Sequence, residues 1–340
     1  MKKISKVLFL GLICVMLVAL SACGNGGKTE KASGDSKDSK GKIVIKFAHS
    51  AVEANSRHKA ALMFKKLVEE KSKGEMTVEV FPNEVLGSEP QMVEAVSFND
   101  IQMVAASTFA QYEPKVDAFG LPFLFETNEQ AWKAIDGPIG QKVFEPLLDD
   151  NLRVLGHLEN GFRNVTNNEK PINSAKDLKG MKIRTPEQPV LVSIFKALGA
   201  NPTPMAFGEL YMALQQGTVD GQENPVANIY ASKFNEVQKY LSLTKHSYSP
   251  VTVAISDKFW QTLTKEQQDI IASSVKEVSK WHRETVVKEE AGQIKELESK
   301  GMKVNTPTDM ESFREAVKPV YKEYEKTYGK DLIDSLLNSK

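Results

Sequence analysis

Arg184 closes a short strand-like run, Met181-Lys182-Ile183-Arg184, and is followed at once by Thr185-Pro186. That puts a guanidinium at the carboxyl end of a strand, the place outside which open α/β sheets hold their ligands. Its parallel N–H donors match the two oxygens of a carboxylate, a geometry that lysine cannot reproduce. The same side chain would serve equally in a salt bridge to Glu187 or Asp220. Arg163 ends another extended run, Gly161-Phe162-Arg163-Asn164, and by itself reads as a surface arginine. Asn224 lies in the polar cluster Val219-Asp220-Gly221-Gln222-Glu223-Asn224-Pro225, whose glycine and proline suit a turn. Its amide could also hold a carboxylate or hydroxyl. Phe207 either packs in a core or forms one wall of a cleft. The stretch 181–225 therefore has the make-up of a place that holds a small anion.

Other chemistries find less support. His49, His58, His157, His246 and His282 are scattered, without the spacing of a metal site. GxGxxG and GxxxxGK[ST] phosphate loops are absent, and so is the GxSxG nucleophile elbow. The residues imply no cofactor and no catalytic constellation.

The elements that must position these side chains follow from periodicity. Ile43–Ala48 (IVIKFA) and Met76–Phe81 (MTVEVF) alternate as strands, and Ile101–Ala106 (IQMVAA) reads as a buried one. Between them, 54–72 has helical spacing, with Ala61, Phe64, Leu67 and Val68 on one face, and a second helix runs from Ser88 or Glu89 to Phe98. Strand and helix in alternation predict a parallel sheet with helices on its faces. The pattern repeats from Leu152, with extended pieces at 152–158, 161–166, 182–184, 241–244 and 251–255. From Lys265 to about Lys300 the chain reads as one helix, roughly 50 Å long at 1.5 Å per residue, and a helix of that length can serve two lobes. The expected fold class is α/β, two-lobed, with a cleft between lobes 43–160 plus 250–289 and 161–249 plus 290–340.

The amino terminus predicts export. Lys2, Lys3 and Lys6 precede an uncharged apolar run, Val7–Leu20, of signal-peptide length. Leu20-Ser21-Ala22-Cys23 resembles the lipobox of bacterial lipoproteins, giving a signal at 1–22 and a lipid on Cys23. Residues 24–42 (GNGGKTEKASGDSKDSKGK) lack any aliphatic side chain larger than alanine and read as a flexible tether. Nineteen such residues reach on the order of 25 Å. With Cys14 removed and Cys23 lipidated, the body would hold no thiol, which excludes disulfide scaffolds and cysteine-ligated metals. The full chain balances 44 basic against 44 acidic residues, and loss of three signal lysines leaves 41 against 44, or −3. That charge gives nucleic acid no purchase. An anion site would need local positive charge in a cleft.

Four ordered blocks, 161–167 (GFRNVTN), 179–186 (KGMKIRTP), 198–205 (LGANPTPM) and 214–225 (LQQGTVDGQENP), resemble the DctP-type solute-binding proteins of TRAP transporters. The similarity extends to Phe81-Pro82-Asn83 through Leu86-Gly87 and to Gly120-Leu121-Pro122-Phe123. The resemblance implies a binding protein, not an enzyme, that takes a small organic acid between two α/β lobes and delivers it to a sodium-driven membrane permease. It implies Arg184 as the principal carboxylate clamp, assisted by Arg163, with Asn224 and Phe207 completing that side of the pocket. His49, Glu89 and Ser107 fall at family contact positions on the other lobe, and His246 falls near the hinge.

Two ligand classes follow. A C4-dicarboxylate, favoured by its frequency in the family, needs a second contact from Arg57, His49 or His246. A uronate or other sugar acid would use Glu89 for its hydroxyls. The rival of another class is a secreted hydrolase acting on anionic sugars.

Overall fold

The computed structural model describes residues 42–339. The expected signal segment, Cys23 and all of the tether but Lys42 lie outside the described residues. Alternation does produce the first three strands, β1 (Ile43–His49), β2 (Met76–Phe81) and β3 (Met103–Ala106). Each buries one or both faces under the helices Ser56–Lys71 and Glu89–Phe98. Asn55 caps the first of these helices, its side chain accepting from Arg57 N at 2.8 Å. β1 pairs in parallel with both β2 and β3.

β4 (Leu152–Asn167) is 16 residues long, where sequence periodicity suggested two separate pieces. β5 (Lys182–Thr185), β6 (Asn201–Pro204) and β7 (Gly221–Pro225) follow it, then β8 (Tyr240–Ser256), 17 residues in one strand, and β9 (Lys303–Asn305). Bulges on β4 between Val154 and Gly156 and between Glu159 and Gly161 shift the register, and at Arg163 to Val165 the extra residues lie on β8, between Ser242 and Ser247; all three interrupt the alternation. Gly161 makes the middle bulge at φ +106°, a conformation that strains any residue with a Cβ.

The nine strands of the described residues form one sheet, ordered β2-β1-β3-β8-β4-β7-β5-β6, with β9 beside β8. One end is β1 to β3 and the other is β5 to β7; β4 and β8 run antiparallel through the middle and join them. The result is a two-lobed α/β fold.

The helix Lys265–Ser299, 35 residues, ties the two ends from outside. Thr264 starts it with a capping box to Gln267. Ile271, Val275 and Val278 pack in a core with Ile45, Phe47, Phe64 and Val78. Further along, Leu297 enters a separate core with Leu210, Leu214, Ile229 and Phe234. A third core, on the remaining face, gathers Phe119, Phe144, Leu191 and Phe195 with Val320 and Leu336 of the terminal helices. These helices touch both ends of the fold: Tyr321 donates its hydroxyl to Pro122 O at 2.9 Å, while Val320 shares a core with Leu191.

Candidate functional site

β1, β3, β5 and β7 all end at one cleft, because the parallel strands of both lobes point their carboxyl ends inward. The space between its walls, open solvent included, is about 480 Å³. Arg57, Arg163, Arg184, Phe207, Asn224 and Asn228 are among the residues lining it.

Arg184 is the third residue of β5, which pairs on both sides, and the side chain is only 2% exposed. Its Nε and Nη2 both donate to Met205 O, at 3.0 and 2.5 Å. These bonds fix the guanidinium and leave the remaining Nη hydrogens for another acceptor. The cation also lies 5.8 Å from the Phe207 ring centroid. Neither Glu187 nor Asp220 pairs with it; Asp220 instead accepts from Lys182 N at 2.7 Å. No acid among the described residues comes within the 4.0 Å of an ion pair with Arg184. Burial pushes its pKa down to about 10, and Glu223 opposes that shift, so the group stays charged at neutral pH.

Arg163 is equally buried but is paired with an acid. Nε donates to Glu223 Oε2 at 2.5 Å and Nη2 to Oε1 at 2.8 Å, with a third bond to Glu223 O at 2.9 Å. Burial alone would raise the Glu223 carboxyl; Arg163 and His246 hold it below the usual range. His246 Nε2 lies 3.1 Å from Glu223 Oε2, and Thr244 Oγ1 lies 2.8 Å from Nδ1. An ionised carboxylate only accepts, so the neutral ring carries its proton on Nε2 and accepts from Thr244 at Nδ1. Burial keeps the ring neutral by lowering its pKa. Asn224, on β7 opposite Asn164 of β4, accepts from Arg163 Nη2 at 3.4 Å and from Asn228 Nδ2 at 3.1 Å. Gly221 makes this close pairing feasible: a Cβ there would sit 2.2 Å from Thr166 O.

The facing wall is organised by Glu89. Its Oε1 accepts from Ser50 Oγ at 2.5 Å and Arg57 Nη1 at 3.3 Å. Its Oε2 accepts from Ser107 N at 2.9 Å and Ser107 Oγ at 3.0 Å. Arg57 in turn donates from Nη2 to Asn160 Oδ1 at 3.0 Å. Several bonds then cross the cleft and hold it closed. Asn55 Nδ2 donates to Asn228 Oδ1 at 2.9 Å, Gly208 N to Glu84 Oε2 at 2.7 Å, and Gln188 Nε2 to Ser107 O.

Six of the eight binding residues expected from sequence therefore line one cavity: Arg184, Arg163, Asn224, Phe207, Glu89 and Ser107. Glu89 and Ser107 spend their polar groups on each other and on Arg57, so they shape the wall and are not free acceptors. Two residues fall elsewhere. His49 is fully buried beneath the wall, its Nε2 3.2 Å from His58 Nδ1, and burial, then Arg57, pushes its pKa down to about 3. His246 stands behind Arg163 and Glu223 and does not line the cavity. Glu84, Thr108, Asn160, Glu223 and Asn228 were not picked out from sequence. Glu84 and Glu223 fall inside the blocks 81–87 and 214–225, but their partners, Gly208 and Arg163, lie far along the chain. Asn160 and Asn228 likewise meet the distant Arg57 and Asn55, and Thr108 lines the cavity with its hydroxyl unpartnered.

Residues 47–327 match DctP, the bacterial extracellular solute-binding protein family 7. The chain belongs to this family. It is 36% identical over 275 residues to the 2,3-diketo-L-gulonate-binding periplasmic protein YiaO of Escherichia coli, covering 80% of this chain and 84% of that one. It is 33% identical over 317 residues to the C4-dicarboxylate-binding protein DctB of Bacillus subtilis, covering 92% and 91%. Among solved structures, a TRAP periplasmic solute-binding protein from a Polaromonas species, bound to D-erythronate, superposes with a TM-score of 0.84 at 36% identity. That match covers 87% of this chain and 98% of the other.

Proposed function

We propose that this chain is the extracytoplasmic binding subunit of a TRAP transporter and captures a small organic acid with Arg184 as its carboxylate clamp. One observation carries the reading: Arg184 is a buried, charged guanidinium in a closed cleft, and no acid among the described residues pairs with it. Enclosing an uncompensated cation costs several kcal/mol in desolvation, whereas a bound carboxylate restores the lost interactions. Ligand contacts from both walls would then favour the closed form over an open one. The relatives' ligands, a sugar acid, an aldonate and C4-dicarboxylates, share the carboxylate and little else.

The lobes would meet along β4 and β8, with limits 43–160 plus 250–289 and 161–249 plus 290–340. The Glu159–Gly161 bulge lies between the stretch of β4 that faces β3's partner residues and the stretch that pairs with β7. A lipid on Cys23 would keep the body near its membrane permease, supported by Leu20-Ser21-Ala22-Cys23 and the polar tether behind it. Mass spectrometry of the amino-terminal peptide from cells would show the diacylated cysteine.

Isothermal titration against a panel of organic acids tests the clamp. Binding should vanish in Arg184→Ala and fall steeply in Arg184→Lys; unchanged affinity in either variant would sink the assignment. NMR of the ligand after incubation with protein should show it unaltered. Turnover would favour the hydrolase instead.

A further inference from the structure

Glu84 reaches across the cleft from a strained turn. Asn83 and Glu84 both adopt positive φ, 58° and 55°, a region costly for residues other than glycine. Asn83 N donates to Ala51 O at 3.1 Å and Gly87 N to Glu84 O at 2.9 Å, which pins the turn. Held there, Glu84 Oε2 accepts from Gly208 N in the first turn of the helix Phe207–Gln215. A carboxylate is thus set against the helix's positive end, beside the Phe207 ring that also meets Arg184. Burial pushes this carboxyl up, and the Gly208 amide pulls the other way.

The charges of the lining do not sum to a site for two carboxylates. Its cations are Arg57, Arg163 and Arg184; its acids are Glu84, Glu89 and Glu187. Glu89 already matches Arg57, and Glu223 from behind matches Arg163. One cation, Arg184, is left for a ligand anion. A second carboxylate would enter a poorly solvated cleft beside Glu84, where like charges repel far more strongly than in water. Neutral polar groups suit the remaining space better. Thr108 Oγ1 is buried without a protein partner, and so is Arg57 Nε, both on residues that line the cavity. A hydroxyl can donate to Glu84 and accept from Arg57 Nε; a carboxylate can do only the second.

We infer that the pocket selects a short monocarboxylate bearing hydroxyls beyond its carboxylate, an aldonate-type acid, and that Glu84 is the residue that turns dianions away. This rests on the carboxylate-at-Arg184 reading above and reverses the order of ligand classes that family frequency suggested.

Titration calorimetry with D-erythronate, D-galactonate and succinate decides it. Erythronate and succinate are both four-carbon acids and differ in hydroxyls against a second carboxylate. The unmodified protein should bind at least one hydroxy acid about 10-fold or more tighter than succinate, the scale on which specific polar groups discriminate. Glu84→Gln keeps an acceptor for Gly208 N and removes the charge. It should tighten succinate and shrink that ratio by about 10-fold, with thermal melting confirming the fold. Succinate binding the unmodified protein as tightly as both hydroxy acids overturns the inference, and so does a ratio unchanged by Glu84→Gln. In those outcomes the clamp survives if Arg184→Ala still loses all binding. If Arg184→Ala binds like the parent, both readings fall together.

Discussion

Glu223 grips Arg163 with both carboxylate oxygens, at 2.5 and 2.8 Å, and thereby settles which arginine of the cleft is spoken for. Arg184, two strands away across β7, shares the same cavity and has no such acid. One guanidinium is tied to an acid of the wall; the other lines the cavity with no acid among the described residues within ion-pair distance.

Arg184→Met tests the energetic side of that difference. A buried cation without a counter-charge is a liability in the closed form, and a methionine of similar length removes it. The ligand-free variant should melt at or above the parent's temperature while losing all measurable carboxylate binding. A clear drop in melting temperature would mean that the bonds to Met205 O contribute more to the fold than the charge costs.

Glu223→Gln should do the opposite. It leaves Arg163 buried with its charge unmatched, a change that costs on the order of 3–5 kcal/mol in such pairs. His246 also loses the ionised acceptor at its Nε2. Urea unfolding should show the midpoint falling with an unchanged slope. A loss below about 1 kcal/mol would mean that Arg163 finds water or another acceptor.

Asp117 gives a pH signature of definite sign. Burial pushes its carboxyl from 3.8 to about 7, despite bonds from Val190 N at 3.2 Å and Tyr324 OH at 3.5 Å. The folded state therefore holds this proton more tightly than the unfolded chain. Its stabilising effect is full below about 4 and is lost as pH rises through about 7. Glu159, also raised to about 7 by burial, acts in the same direction. His49 and His282, lowered to about 3, act in the opposite sense, because the unfolded chain takes up their protons as pH falls below 6.5. The bare profile mixes both, so the difference between variant and parent is the informative quantity. Asp117→Asn should gain melting temperature relative to the parent as pH rises from about 4 to about 7. A flat difference across that window would rule out a raised Asp117.

Much of this was legible from local pattern. Alternation located β1 and β2, because each strand buries one side or both against helices in its own neighbourhood. Helical spacing located Lys265–Ser299 nearly to the residue, since its apolar face and capping box are properties of nearby positions alone. The strand end and the turn after Arg184 were likewise local, and so was its place at the mouth of a sheet. The bulged strands were less so: β4 and β8 looked like four pieces because the bulges shift register against a partner some ninety residues away.

What the tertiary structure decided was partnership. Position in the sequence left Arg184 open between a ligand clamp and a salt bridge, and read Arg163 by itself as a surface arginine. Only the pairing of β4 with β7 brings Glu223, 60 residues off, onto Arg163, while no acid among the described residues pairs with Arg184. Only closure of the cleft sets Glu84 on Gly208, 124 residues away, and buries His49 out of reach of the cavity. Local sequence governs which shapes a segment can take, through periodicity, caps and turn residues. A guanidinium's availability is a sum over every charge packed around it, and that sum exists only once distant segments have met.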